Sequence, residues 1–327
     1  MDLPLQHPLM EAGMGAASAP RTNVSRLVAS AVAGQVSHPV VQVSPYRMGR
    51  DGVPRLVPGS GGIVLNRRVG DRAVGLAADH MEAGVSIHNT GRDDVGRKGG
   101  SNRALMFQAC VGNRARVTSG PMTGAVGTVV GKHGGINHVI VDFPPRVKRR
   151  LCIGDRIQLD AYGQGLELPD FPGVRALNLS PRLLRRWGVR TEGGRLVVPV
   201  THTVPSALMG SGFGRSEGVL GDLDIQLSDA GLVRRHRLDA LRLGDLVAVC
   251  PLDYRFGPSR RAGVITVGVV VHSDSKVAGH GPGVTPLLIC PGECVRLVCR
   301  PQANVALLLG LRQSVAPPAR RPSGSGR

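Results

Sequence analysis

Short apolar runs bounded by glycine, proline, aspartate or asparagine recur along most of the chain. In the first half they begin near Val36–Val43 and continue as GGIVLN, DRAVGLAA, GVSIH, NRARVTSG, GTVVG and HVIVDF. In the second half they are RLVVPVTH, LRLGDLVAVC, AGVITVGVVVHS, TPLLIC, VRLVC and NVALLL. Runs of this length with these boundaries are typical of β-strands joined by tight turns. The pattern predicts a mostly β protein with two β-barrel-like lobes and few short helices.

One short helix is predicted between the two sets of strands. Ser180 is followed by Pro181, then by LLRRW and Gly188, which supplies an N-cap, a proline at the first helical position and a terminal glycine. The chain is therefore divided into a disordered extension (1–20), an N-terminal β-rich domain (21–168), a C-terminal β-rich domain (169–311) and a disordered basic tail (312–327).

The stretch Ala115–Phe143 resembles the KOW-type strand-turn-strand of small SH3-like barrels. In that motif a Ser-Gly-Pro turn and a later Gly-x-Val allow a sharp reversal of the chain. The motif occurs in RNA-associated proteins, but it also builds barrel corners in enzymes. It therefore predicts an SH3/KOW-like first lobe and says little about function.

Composition supports the strand-rich interpretation. The chain of 327 residues holds 46 glycines and 24 prolines, against one Trp, three Tyr and five Phe, which favours short strands and turns over long helices. It has no run of about eighteen apolar residues, and its first residues lack the basic start of a signal peptide. We therefore expect a cytoplasmic protein without a membrane partner.

The six cysteines are few for a chain of this length and do not imply a disulfide framework. Cys290, Cys294 and Cys299 form a cluster, but its spacing lacks the CxxC element of structural zinc sites. The sequence leaves the role of this cluster open.

The formal charge of +18 suggests attraction to polyanions. The basic residues are 37 arginines and four lysines, and four of the arginines lie in residues 312–327. The few aromatic residues offer little for base stacking, and no helix-turn-helix, RNP or zinc-finger pattern occurs. We expect non-specific polyanion attraction without specific reading of bases.

Five histidines beside or near glycine carry the candidate chemistry. In the segment Asp79–Ser86, alternate side chains of an extended chain share a face, so His80 and Glu82 can point together while Asp79 supports them. Such groups can bind a divalent metal or relay a proton. The alternative is a polar turn capped by Asp79.

A second loop carries Lys132, His133, Asn137 and His138 around a Gly-Gly pair. Glycines let a backbone approach a ligand closely, so the loop could hold an anion or offer imidazole to a metal. It could also be an ordinary hairpin tip, but such a tip gains nothing from two histidines.

The third loop gives the strongest signal. The apolar run AGVITVGVVV leads directly to His272, Asp274 follows, and His280 returns inside Gly-His-Gly-Pro-Gly. A rigid strand followed by a tightly turning loop can fix functional groups precisely in space. The alternative is a histidine packed under a tight turn.

Two further segments carry candidate substrate-binding groups. Ser211 lies in Met-Gly-Ser-Gly outside any Gly-x-Ser-x-Gly elbow, and Asp222 and Asp224 share one face of an extended segment. Gln164 lies in a Tyr-Gly-Gln-Gly turn and could donate to a ligand.

At these loops the chain resembles a prokaryotic family, domain of unknown function 4438. The likeness spans roughly Arg21 to Leu311, and the motifs follow in one order. Ala83 stands where the family has proline, and Tyr162 where it has tryptophan; neither change removes an ionisable group. The resemblance implies a two-domain β-barrel-like fold and no function. The motifs are DHxEPGVS-like (Asp79–Ser86), GKHGGxNHV-like (Gly131–Val139), WGQGL-like (Tyr162–Leu166), MGSG-like (Met209–Gly212) and VHS…AGHGPGV-like (Val271–Val284).

We hypothesise one site between the lobes, at which a divalent ion (Zn, Mn or Fe) activates water or promotes proton abstraction at an amide- or lactam-like group of a small polar substrate. Alternatives are an RNA- or ribosome-associated binding module and a non-catalytic small-molecule-binding protein; a homo-oligomer is possible. The predicted roles are metal binding by His80, His133, His138 and His272, catalysis by Asp79, Glu82, Asp274 and His280, and substrate binding by Lys132, Asn137, Gln164, Ser211, Asp222 and Asp224.

Overall fold

The computed structural model describes residues 17–40, 46–91, 100–214 and 218–317. The fold is mostly β, with 34% strand and 16% helix, which confirms the predicted fold class. Among the described residues, no helix has the length and apolar character needed to cross a membrane.

The strands of the described residues are numbered along the chain. They are β1 Ser30–Val36, β2 Arg47–Met48, β3 Pro54–Arg55, β4 Val85–His88, β5 Arg114–Val117, β6 Val126–His133, β7 His138–Asp142, β8 Arg156–Ala161, β9 Arg175–Ala176, β10 Arg190–Glu192, β11 Arg195–Val200, β12 His202–Pro205, β13 Leu223–Asp224, β14 Leu246–Cys250, β15 Val264–Val270, β16 Gly283–Pro291 and β17 Val295–Cys299. The α-helices are α1 Gly100–Gln108, α2 Pro145–Lys148, α3 Pro181–Trp187, α4 Ala230–His236 and α5 Val305–Leu308.

The first lobe is a closed barrel of six strands in the order β1-β4-β7-β6-β5-β8. Antiparallel pairing of β1 with β8, from Ser30 opposite Ala161 to Gln35 opposite Arg156, closes it. Apolar side chains of these strands, such as Ile87 and Leu159, are fully buried. The KOW-like stretch supplies β5, β6 and β7, which are neighbours in the barrel as that resemblance predicts.

The second lobe contains two sheets. Strands β12, β14, β15, β16 and β13 follow one another in the larger sheet, where β9 also pairs with β16, and β10, β11 and β17 form the smaller one. The pairing of β15 with β16 is antiparallel, from Val264 opposite Pro291 to Val270 opposite Val284. This hairpin therefore places the end of β15 beside the start of β16.

The two lobes share hydrophobic core. One buried cluster joins Val130 and Ile140 of the barrel to Leu246, Val267 and Leu287 of the larger sheet. A methyl group at Gly131 would lie 2.2 Å from Cγ1 of Val271, so β6 approaches the end of β15 as closely as its backbone allows. The barrel and the larger sheet are therefore fixed against each other where β15 ends.

The predicted helix is α3, and its ends are those expected from the sequence. Ser180 Oγ accepts a hydrogen bond from the Leu183 backbone N at 3.1 Å, Pro181 begins the helix, and Gly188 ends it with φ of 79°. The indole of Trp187 is buried and donates to the Pro199 carbonyl at 2.7 Å. Helix α3 thus packs into the shared core and does not project from it.

Removing the cap of α3 should destabilise the protein. In Ser180→Ala the Leu183 amide loses its acceptor, so we expect the free energy of unfolding to fall by about 1 kcal/mol. Urea denaturation followed by circular dichroism measures this difference. A change within experimental error would show that the amide finds another acceptor at no cost.

Some predicted strands are wrong. GGIVLN and DRAVGLAA form only isolated bridges at Gly61, Ile63 and Arg72, because their glycines adopt turns that interrupt pairing. NVALLL is the short helix α5, whose start is capped by Asn304 Oδ1 accepting from the Ala306 N at 2.9 Å. Helix α1 was not foreseen. The first strand begins at Ser30 rather than near Val36, and residues 41–45 of the predicted run lie outside the described residues.

Most of the predicted N-terminal extension and basic tail, residues 1–16 and 318–327, lies outside the described residues. Where these segments are described, they contact the body of the protein. Ser18 pairs with Thr191 through two backbone hydrogen bonds, and the Arg312 guanidinium donates to the Asp71 carboxylate.

All six cysteines are free thiols. Burial raises the pKa of the Cys290 thiol to about 12, and the Cys299 thiol lies 3.3 Å from the Thr201 carbonyl oxygen. The buried Cys290 thiol is thus protonated at neutral pH, a state that does not favour metal binding.

Candidate metal centre

Four of the five histidines converge on one point between the lobes. His80 and His133 come from the first lobe, His272 and His280 from the second. The ring centroids of His133 and His272 are 4.3 Å apart, and that of His80 lies 5.0 Å from His272 and 4.8 Å from His280. Segments far apart in sequence therefore deliver imidazoles to one place.

Strand ends position these side chains. His133 is the last residue of β6 and pairs with His138 at the start of β7. His272 lies just beyond β15, and His280 lies in the loop that leads into β16. Asp224 belongs to β13, which pairs with the beginning of β16. Rigid strands thus fix the second-lobe groups on both sides of one hairpin loop.

Backbone pairing joins the two lobes at the same place. Glu82 forms an isolated antiparallel bridge with His272, and the Ser273 N donates to the Met81 carbonyl at 2.9 Å. Ser273 Oγ also accepts from the Met81 N at 3.0 Å. His80 has a left-handed φ of 52°, which is uncommon for a residue with a side chain. The segment that carries His80 and Glu82 is therefore held against the second lobe by its own backbone.

A first group of ligand atoms consists of His80, His280 and Asp224, which we call triad one. The Nε2 atom of His80 lies 2.9 Å from Nδ1 of His280 and 3.3 Å from Oδ2 of Asp224. Nδ1 of His280 lies 3.0 Å from the same carboxylate oxygen. The ligand atoms of this triad all lie within 4.8 Å of one another, which suits a shared cation.

A second group, triad two, consists of His133, His272 and Asp222, whose ligand atoms also lie within 4.8 Å of one another. Nε2 of His272 lies 2.7 Å from Oδ2 of Asp222. The other oxygen of Asp222, Oδ1, accepts from the Gly134 N at 2.7 Å. All three members are buried, so this triad is the inner of the two.

In three of the histidines Nδ1, the ring nitrogen that points away from the triads, contacts a hydrogen-bond acceptor. Nδ1 of His272 lies 2.9 Å from the Ser273 carbonyl, Nδ1 of His133 lies 2.5 Å from Oε1 of Glu82, and Nδ1 of His80 lies 3.3 Å from Oδ2 of Asp79. Each acceptor favours a hydrogen on Nδ1 and so leaves the Nε2 lone pair free. Metal-binding histidines are commonly oriented in this way.

Glu82 orients two histidines at once. Its carboxylate is fully buried, and Oε2 lies 3.1 Å from Nδ1 of His138 while Oε1 contacts His133. The Ser86 hydroxyl donates to the same carboxylate. Burial acts to raise the pKa of Glu82, but the nearby charges of His138 and His133 hold it below its usual value. Glu82 therefore stays an anion, and His138 contacts it rather than belonging to either triad.

The electrostatics of the triads favour positive charge between the carboxylates. Burial alone would lower the pKa of His272, but the hydrogen bond and charge of Asp222, together with Asp224, raise it well above its usual value. Burial acts to raise the pKa of Asp224, yet hydrogen bonds from His272, His280 and His80 hold it well below its usual value. A proton or a metal cation can supply that positive charge.

A cavity of about 140 Å³ opens onto both triads. Its wall includes five of the six triad residues, and also Arg47, Ser211, Ile136 and the backbone of Gly134–Gly135. The His280 side chain is 34% exposed, whereas that of His272 is fully buried. His280 therefore lies on the open side of the centre.

Three residues predicted to bind substrate have other surroundings. The buried Lys132 ammonium donates to Asn178 Oδ1 at 2.6 Å, and burial lowers its pKa to about 8. Asn137 has a left-handed φ of 58° in the turn between β6 and β7. Gln164 donates to the Phe107 carbonyl. None of the three lines the cavity over the triads.

The acids predicted as catalytic bases also lie behind the cavity wall. Asp79 accepts from the Ser275 hydroxyl at 2.6 Å, and its pKa is about 2, because hydrogen bonds and the charges of His80 and Arg47 outweigh burial. Asp274 accepts from the Gly75 N at 3.2 Å, and its Oδ1 is buried without a partner among the described residues. Asp79 thus serves to orient His80, as Glu82 orients His133.

Sequence reasoning missed Arg47 and Gly283. Nε of Arg47 lies 3.4 Å from Oδ2 of Asp79, and the side chain lines the cavity, but it comes from a two-residue strand without a motif. A methyl group at Gly283 would lie 2.0 Å from Oδ2 of Asp222 and 2.2 Å from Nε2 of His272. The Gly-Pro-Gly sequence after His280 was the available signal for this close approach.

In the metal-binding role that we propose below, replacing Glu82 with glutamine should lower the affinity for a divalent metal. The amide keeps the shape of the carboxylate but loses the charge that polarises His133 and His138, and losing such an orienting partner typically costs about 10–100-fold in metal affinity. Titration with Zn²⁺ against a competing chelator measures the difference. Glu293→Gln, before β17, is the control; equal affinities in both variants would contradict a role for Glu82.

The fold and site define a class: a two-lobed, mostly β protein with a histidine/aspartate centre between a barrel and a sheet. The chain matches the family model "Domain of unknown function (DUF4438), N-terminal" over residues 46–185. It matches the C-terminal domain model of the same family over residues 186–309. The chain therefore belongs to this family, as the loop motifs predict.

A solved structure has the same fold. The structure described as "Crystal structure of TM1086" is similar with a TM-score of 0.83 and 38% sequence identity, over 88% of this chain and 99% of that chain. No curated protein matches the chain.

Proposed function

We propose that the protein is a metal-dependent enzyme acting on a small polar molecule, with hydrolysis or proton abstraction at an amide- or lactam-like group. The proposal rests on one observation: in the triads, ring nitrogens lie close to carboxylate oxygens. Nε2 of His272 and Oδ2 of Asp222, 2.7 Å apart, are both acceptors when Nδ1 of His272 donates to the Ser273 carbonyl. Two acceptors at this distance require a cation or a proton between them.

The residue types fit zinc, manganese or iron. Imidazole and carboxylate are the usual ligands of these ions, and a structure with only two or three protein ligands per ion leaves positions for water or substrate. Held there, a divalent ion would supply Lewis acidity and a more acidic water. The members of a triad would hold the ion from opposite lobes, and Asp79 and Glu82 would keep the imidazoles of His80 and His133 in the binding orientation.

With Nδ1 turned to triad one, His280 keeps its other ring nitrogen, Nε2, for moving a proton. Its Nδ1 faces Asp224, and about a third of its side chain is exposed on the cavity side. Arg47, which is partly exposed at the cavity wall, would attract a carbonyl or anionic oxygen of the substrate. The cavity volume of about 140 Å³ limits the enclosed part of the substrate to a few heavy atoms. These features favour a small polar substrate.

Metal analysis of the native protein beside His80→Ala and His280→Ala tests the proposal. We expect bound metal in the native protein, less bound metal in both variants, and unchanged metal in His236→Ala, a histidine on α4 outside the triads. Treatment with a chelator should lower the melting temperature. Metal added back at a free concentration of about 100 times Kd should raise the free energy of unfolding by about 2.7 kcal/mol.

A panel of amides and lactams then tests for catalysis. Turnover that disappears with the chelator and returns with zinc, manganese or iron would support the enzyme. Full turnover by metal-free protein would refute metal dependence. Binding of a panel member without turnover would point to a small-molecule-binding protein instead.

The proposed setting is the cytoplasm, where free cysteines are stable. All six cysteines are free, as is usual in a reducing compartment. The many arginines would add weak, salt-sensitive attraction to polyanions that does not involve the centre.

A further inference from the structure

We infer that the centre holds two divalent ions, one in each triad, with the Asp224 carboxylate bridging them. The inference rests on the proposed metal dependence and extends it to the number of ions and their shared ligand. Six side chains meet here, and they separate into two groups of three, within each of which the ligand atoms lie within 4.8 Å.

The six donors form two groups rather than one. Bonds of zinc to nitrogen and oxygen are about 2.0–2.2 Å, so ligand atoms around one ion lie within about 4.4 Å of one another. The ligand atoms of triad one lie 2.9–3.3 Å apart, inside this limit, and each triad supplies two imidazoles and one carboxylate oxygen. Ions of a two-metal site lie about 3.5–4 Å apart, a separation that neighbouring triads can provide.

Asp224 is the carboxylate that reaches both triads. Its Oδ2 lies 3.3 Å from Nε2 of His80 and 3.0 Å from Nδ1 of His280, in triad one. Its Oδ1 lies 3.5 Å from Nε2 of His272, in triad two. A carboxylate with one oxygen toward each of two ligand groups has the arrangement of a metal bridge.

Asp222 is placed differently, because its Oδ1 accepts from the Gly134 N at 2.7 Å and faces no ring nitrogen of the triads. Oδ2 of Asp224 also accepts from a backbone N, that of Gly281 at 3.3 Å, but both oxygens of Asp224 face imidazoles. Only Oδ2 of Asp222, 2.7 Å from Nε2 of His272, is directed to triad two. The two aspartates, which share one face of the same segment, therefore have different roles. Asp222 is a terminal ligand of one ion, and Asp224 joins the two.

The charge balance indicates the class of ligand that the pair would take. Two divalent ions bring four positive charges; Asp222 and Asp224 supply two negative ones as ligands, and Glu82 and Asp79 supply two more behind His133 and His80. Because only two of these four carboxylates are ligands, an oxygen ligand suits the place where the cavity opens onto both triads. A substrate with a carboxylate or a carbonyl oxygen that becomes anionic during reaction matches this requirement.

Manganese binding to the full chain tests the inference. The metal-free protein is titrated with Mn²⁺, the bound metal per chain is measured, and electron paramagnetic resonance records whether the ions are magnetically coupled. We expect two ions per chain and a coupled spectrum once the second equivalent binds. The wild-type titration alone distinguishes one ion from two, so it does not depend on any variant folding.

Variants then assign each ion to a triad. His280→Ala and His133→Ala should each retain one ion and lose the coupling, whereas His236→Ala should keep two coupled ions. One ion in the wild type, lost in both triad variants, would overturn the two-ion inference and leave the proposed metal dependence standing. Two ions without coupling would overturn the bridge by Asp224. No bound ion in any sample would refute both proposals.

Discussion

Replacement of Asp224 with asparagine is expected to leave the protein with almost no bound metal after dialysis. Asp224 contacts His80, His280 and His272, so its charge acts on both triads at once. Asparagine keeps the size of the side chain but removes the negative charge and turns one ligand oxygen into a donor of hydrogen bonds. The histidines and Asp222 remain, but the carboxylate shared by both triads is gone.

The expected loss of Mn²⁺ affinity is at least about a thousand-fold, larger than the 10–100-fold typical of an orienting residue. Isothermal titration of metal-free protein and metal analysis after dialysis measure it. Asp229→Asn is the matched control, since Asp229 caps α4 by accepting from the Leu232 N and lies outside the triads. A loss of less than tenfold in Asp224→Asn would show that this carboxylate is not a ligand.

The second large effect is expected from Gly283→Ala, a change of one methyl group. The added carbon would lie 2.0 Å from Oδ2 of Asp222 and 2.2 Å from Nε2 of His272, distances at which something must move. His272 is held by the bridge to Glu82, and Asp222 by the Gly134 N. We therefore expect triad two to be pushed apart, with a loss of Mn²⁺ affinity of at least about 100-fold.

The same change should lower the free energy of unfolding by about 1–3 kcal/mol, the usual cost of an extra carbon in a packed interior. Metal titration and urea denaturation separate the two effects. Gly59→Ala is the control, because its nearest neighbours would lie at ordinary contact distances of 3.6 and 3.7 Å. Unchanged metal affinity in Gly283→Ala would show that metal binding does not depend on the positions of Asp222 and His272. That result would argue against triad two as a metal site.

Local pattern was sufficient to predict most of the fold. Segments such as AGVITVGVVV and HVIVDF are rich in β-branched residues. They form β15 in the second lobe and β7 in the first. The helix α3 carried its own start and stop signals. The strand prediction for NVALLL was wrong because so short an apolar run does not distinguish a strand from a helix by its periodicity. Asn304 caps the segment, which forms a helix. GGIVLN failed because Gly61 and Gly62 take left-handed φ angles that interrupt strand pairing, so that only single residues pair.

The sequence predicted which residues form the site better than it predicted the role of each one. Glycine-flanked histidines marked the loops, and Asp222 and Asp224 were singled out as a pair on one face. Which ring nitrogen faces inward depends on partners from other parts of the chain, such as the Ser273 carbonyl and Glu82. For the same reason the sequence could not show that His138 contacts Glu82 instead of the triads, or that Arg47 reaches the cavity.

The supply of ligands by both lobes has a consequence for the life of the protein in the cell. His80 and His280 are 200 residues apart in sequence, so an ion bound to both would act as a cross-link that closes most of the chain into a loop. Such a cross-link would make unfolding cooperative and slow, whereas metal-starved cells would hold chains that open more often and are degraded faster. Metal availability would then set how much of the protein accumulates, in addition to how much of it works.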